Sequence, residues 1–168
     1  MLETLEGRML LAGSNSPTNP VPIRTEPADT PTPQQIGAAY REIVAIQTST
    51  LLGLSAAHRR LYAAYDQLAA RANPAIPRDR RILQHGAELT ARAEQGLVVA
   101  RSVADQTASA DKIDIPNLLF PSGLNAFVKD AQTTGSNLVR SARRGTDAVI
   151  HKLNALTARL VGTAGSGH

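Results

Sequence analysis

The side chains able to carry chemistry are few, and their spacing is poor for it. Four histidines occur, His58, His85, His151 and His168, and none pairs at the i, i+4 spacing of a helical metal site. A turn near residue 75 would bring His58 level with about residue 92. His85 and His151 could approach each other across two helices, but two ligands without a third make a poor site. There is no cysteine, which removes thiolate zinc sites, iron–sulfur clusters, disulfides and cysteine catalysis. Gly165-Ser166-Gly167 echoes a nucleophile elbow without the strand and helix that such an elbow joins. The carboxylates are scattered and mostly stand beside an arginine, as in Arg41-Glu42 and Asp79-Arg80, which suits a solvated face. We therefore expect no catalytic site, no cofactor and no metal.

The basic residues are better organised. From Ser122 onward six of them, Lys129, Arg140, Arg143, Arg144, Lys152 and Arg159, face two acids, Asp130 and Asp147. The net charge of this last segment is +4, equal to that of the whole chain. Lys129, Arg140 and His151 are spaced by eleven, close to three helical turns, so they share one line opposite the apolar stripe, with Arg144 beside it. Arg78, Arg80 and Arg81 form a second cluster. Lys129, Arg140, Arg143, Arg144 and Lys152 are accordingly candidates for holding nucleic acid or another polyanion. No aromatic residue interleaves them, so base stacking is not indicated. The plainer explanation is a solvated basic face.

The elements that would position these groups follow from the prolines. Residues 13–33 hold six of the ten prolines and read as an extended, disordered linker. Three proline-free runs follow, predicting helices at about 34–73, 78–112 and 122–161, then a flexible tail over 162–168. Thr32-Pro33-Gln34-Gln35 predicts a capping box with Thr32 as N-cap. In the first run, Tyr40, Gln47, Leu54, Leu61 and Leu68 fall on one heptad line; Ile36, Ile43, Thr50, Ala57 and Ala64 fall on the next. Val44, Leu51, His58 and Tyr65 flank them, and Gly53 is a soft spot. The second run alternates Ile82, Leu89 and Val103 with Gly86, Ala93, Ala100 and Thr107, flanked by Leu83, Leu97 and Ala104, which suits a helix held closely between two others. The third carries its leucines and valines on one side, with Ser122 as expected N-cap and Gly162 as expected left-handed C-cap.

Short connections make successive helices antiparallel. The expected fold is all-α: an elongated, antiparallel, up-down-up three-helix bundle, partly coiled-coil-like, behind a disordered N-terminal linker. Aromatics at 3% argue against a β-sandwich or barrel, and no apolar run approaches the length of a membrane span. Leu118-Leu119-Phe120, in the second connection, is expected to plug the open end of the bundle.

The N-terminus adds a motif. Leu5-Glu6-Gly7-Arg8-Met9-Leu10-Leu11 resembles the LEPR-XLL motif, an N-terminal signature of planctomycete-type bacterial proteins. Leu5, Glu6, Arg8, Leu10 and Leu11 match its fixed letters, Met9 occupies the variable position, and Gly7 stands where the pattern has proline. The resemblance covers about a tenth of the chain and implies export or sorting to the cell surface, with no chemistry attached. Physically, Leu2, Leu5 and Met9 share one helical face, with acids early and Arg8 late. The segment has no basic n-region and too short an apolar stretch for an ordinary secretory signal.

The function expected from these residues is that of a non-enzymatic, exported or surface-associated helical protein. It would engage the sorting machinery through its N-terminus and a protein partner, or a second copy, through its bundle. Polar interruptions such as Gln47 and Thr50 fit pairing between chains. The alternative is a cytoplasmic module that binds nucleic acid or another polyanion through the third helix.

Overall fold

The computed structural model describes residues 30–107 and 121–164. The N-terminal motif, most of the linker, Leu118–Phe120 and the end of the tail lie outside the described residues. Three helices account for nearly all of the rest: α1 (Pro33–Arg71), α2 (Pro77–Thr107) and α3 (Pro121–Ala164). No strand occurs among the described residues. No helix among them is long and apolar enough to cross a membrane.

The entry to α1 follows its sequence. Gln35 N–H donates to Thr32 Oγ1 at 3.2 Å, and Thr32 N–H donates to Gln35 Oε1 at 2.8 Å, which closes the capping box. The turn between α1 and α2 is built from Asn73-Pro74-Ala75-Ile76. Ala75 N–H donates to Asn73 Oδ1 at 3.0 Å, and the Asp79 carboxylate takes the Asn73 N–H at 3.0 Å. Arg80 Nε donates to the Pro74 carbonyl at 3.2 Å. Asp79 and Arg80 thus close this turn.

Two expected caps on α3 need correction. The helix begins at Pro121, so Ser122 lies inside the first turn and does not cap it. It also runs through Gly162 to Ala164, so Gly162 is helical. A Cβ at Gly162 would meet nothing within 4 Å, and a helical glycine costs only about 1 kcal/mol, so neither crowding nor propensity stops the helix there.

The bundle is up-down-up. Thr50 lies against Gly135, Gly53 against Val139 and Arg60 against Asp147, so α1 and α3 run parallel. Tyr62 meets Glu94 and Ser55 meets Arg101, so α2 runs antiparallel to α1. The main core holds Leu54, Leu61 and Leu68 of α1, Leu97 and Ala104 of α2, and Leu153 of α3. On α2 the deepest apolar positions are Leu97 and Ala104, while Ile82, Leu89 and Val103 are half-buried. Ile82, Leu83 and Leu89 pack against the edge of the main core.

A second, smaller core joins Ala39 and Ile43 of α1 to Leu124, Val128 and Ala131 of α3, with Ile46 and Phe127 at its edge. It involves only two helices. The pairing of Ser55 with Arg101 places Thr107 level with about residue 49 of α1. Ile36, Tyr40 and Val44, each the first member of an expected heptad line, lie beyond that level and are exposed.

Candidate functional site

Three places combine polar groups with shape. The first is a link between α1 and α2. The Tyr62 hydroxyl donates to Glu94 Oε2 at 2.7 Å, and His58 Nε2 lies 3.6 Å from Glu94 Oε1. The rings of His58 and Tyr62 lie 4.6 Å apart, centroid to centroid. The hydrogen bond to the Glu94 carboxylate, with lesser help from desolvation and from the carboxylate's charge, raises the Tyr62 pKa above its ordinary 10.0. His58 was expected to sit level with about residue 92, and it meets Glu94, two positions on. The partnership with Tyr62 was not foreseen, because helical periodicity gives a level along the axis and no azimuth. One carboxylate, one phenol and one imidazole in this arrangement tie two helices together.

The second place is a cleft of about 490 Å³ between α1 and α3. Ile46, Ser49 and Thr50 contribute from α1; Gln132, Gly135 and Ser136 contribute from α3. Arg140, Arg143 and Arg144 also line it, and all three are exposed. The two helices touch at the Thr50–Gly135 contact, where a Cβ on Gly135 would collide with Thr50 Oγ1. Thr50 is buried and donates its hydroxyl to the Ile46 carbonyl at 2.8 Å. It is therefore spent within the chain and unavailable for pairing between chains. Asp147 lines the same cleft, and its Oδ1 lies 2.9 Å from Arg60 Nη2 on α1.

The five basic residues expected to act together are thus divided. Arg140, Arg143 and Arg144 gather at the cleft. Lys129 is exposed about 16 Å up the helix and does not line it. Lys152 lines a separate groove with His85 and Arg159, on the side of α3 that faces α2. His151 is exposed and does not line the His85 groove. Arg78 Nη2 donates to the Arg159 carbonyl at 3.4 Å, so with Arg80 two members of the second arginine cluster bind backbone carbonyls.

The third place is an apolar groove of about 500 Å³ between α2 and α3, shaped by small residues such as Ala93, Gly96, Ala142 and Gly145. Val99 lines it and is 62% exposed. Among the described residues no cluster of three His, Asp or Glu side chains could hold a metal ion.

Fold and sites together define an elongated parallel–antiparallel three-helix bundle with an arginine-lined cleft on one side and an apolar groove on another. Comparison with protein-family models, curated proteins and solved structures finds no match for this chain.

Proposed function

We propose that this chain is a non-enzymatic helical interaction protein, exported or held at the cell surface. The export half rests on the LEPR-XLL-like residues Leu5–Leu11 and on the proline-rich segment behind them. The interaction half is carried by the exposed line Ile36, Tyr40 and Val44 (41%, 50% and 39% exposed). These residues recur every fourth position on the part of α1 that, among the described residues, packs on α3. A row of large apolar side chains in water is costly to a chain that has no use for it, and such rows mark protein contact surfaces.

Export is tested by fusing residues 1–32 to a reporter and fractionating the cells. The reporter is expected outside the cytoplasm or with the envelope; a reporter found wholly in the cytoplasm removes the export half. The interaction half is tested by sedimentation of the full chain at two concentrations, with Tyr40→Ser/Val44→Ser beside it. Concentration-dependent mass that the double variant abolishes makes the partner a second copy. Mass unchanged in both leaves a different protein as the partner.

A further inference from the structure

We infer that the cleft between α1 and α3 binds a compact, multiply charged phosphate anion. This goes beyond the export and scaffold reading and stands independently of it.

Three arginines, Arg140, Arg143 and Arg144, line the cleft from consecutive turns of α3. None has a carboxylate within ion-pair distance among the described residues. The one acid in the cleft, Asp147, is engaged by Arg60 from α1. The site therefore presents an excess of positive charge that the protein does not itself neutralise. Arginine presents its donors as a planar fork, which matches tetrahedral oxyanions with paired hydrogen bonds. Gln132 and Ser136 also line the cleft, and their side chains make no hydrogen bond among the described residues, so those donors are unspent. Ser49 and Thr50, by contrast, donate their hydroxyls to the Ile46 carbonyl and close the α1 wall.

Size and surroundings set the ligand class. Arg140 to Arg144 spans about 6 Å of helix axis, while Lys129 lies about 16 Å from Arg140. A long polyanion following the whole of α3 would draw on Lys129 and Lys152 as well; a compact ligand uses only the cleft. No aromatic side chain lines the cleft, so the phosphate groups are recognised and a nucleobase is not.

The test is calorimetric titration of the full chain with sodium tripolyphosphate in about 0.1 M salt, where charges more than about 10 Å apart are largely screened. One ligand per chain is expected. Arg140→Gln/Arg144→Gln should weaken binding at least about tenfold, since charge-assisted hydrogen bonds are lost. Arg143→Lys, which keeps the charge and loses the fork, should weaken it to a smaller extent. Lys129→Gln/Lys152→Gln should leave it unchanged. All these side chains are exposed, so each variant should keep its helices, which circular dichroism checks. A nucleoside triphosphate should bind as tightly as tripolyphosphate. Absence of binding, equal loss in the arginine and lysine pairs, a marked preference for the nucleotide, or tighter binding of polyglutamate would each overturn the assignment.

Discussion

At the scale of single residues, the bundle depends on what is missing as much as on what is present. A Cβ at Gly86 would stand 2.5 Å from Leu68 Cδ2, and one at Gly53 would stand 2.9 Å from both methyl carbons of Val139. Leu68 is fully buried and has little room to move aside. A Cβ at Gly135 would collide with the buried Thr50 hydroxyl, so Gly135→Ala should destabilise by about 1–2 kcal/mol net, as overpacking outweighs the gain in helix propensity. Replacing Thr50 with Ala in the same chain removes the colliding hydroxyl and should recover part of that loss. Gly145→Ala provides the opposite case. Its new methyl meets nothing within 4 Å, so stability should rise by up to about 1 kcal/mol. Thermal or chemical denaturation of the three variants reads both signs.

Tyr62 offers a prediction in pH. Its pKa in the folded chain lies above the ordinary 10.0, because ionising it breaks the hydrogen bond to Glu94 and sets two negative charges together. A group whose folded pKa is raised contributes stability that is fully present below its unfolded value. That contribution is lost as pH rises through the folded value. In an alkaline titration followed by tyrosinate absorbance, the Tyr62 step should come late, above the ordinary 10.0. Glu94→Ala should remove that late step; a late step that survives would place its origin elsewhere.

At the scale of elements, α1 was the most legible part of the chain. Its start was written in Thr32-Pro33-Gln34-Gln35, and Leu54, Leu61 and Leu68 fall where their heptad line put them. Thr32→Ala should cost about 1 kcal/mol through loss of the cap. Leu61→Ala should cost about 2–5 kcal/mol, since the side chain is fully buried in the main core. Leu52, 62% exposed on the same helix, should tolerate alanine within about 0.5 kcal/mol. Urea denaturation of the three variants orders them directly. The ends of α3 were less legible, because serine and glycine mark helix ends only when the chain turns there. On α2 the expected stripe packs on the core, but its deepest line is Gly86, Thr90, Leu97 and Ala104, so the centre of the face is shifted toward the flanking residues.

At the scale of the whole molecule, the up-down-up path makes α1 and α3 parallel neighbours although residues 72–120 separate their sequences. This path builds the arginine cleft, setting Ser49 and Thr50 beside Arg140, Arg143 and Arg144. Among the described residues the N-terminal third of α1 packs on α3, and Ile36, Tyr40 and Val44 are exposed there. Ile43→Ala, in the smaller core, should loosen that end ahead of the rest. Hydrogen exchange should show faster opening of residues 36–46 with little change near Leu61.

The sequence by itself determined the class of fold. Apolar residues at helical spacing, prolines confined to the connections and a scarcity of aromatics admit an antiparallel succession of three helices and little else. It also determined that the positive charge is concentrated in the last helix. Only the tertiary structure decided which of those cations act together. Position along a helix is local, whereas a cleft depends on the azimuth at which two helices meet. That azimuth is set by contacts such as Thr50 on Gly135 and Gly53 on Val139, between residues whose types alone announce no partnership. The same contacts separate Lys129 and Lys152 from the three arginines with which they had been grouped.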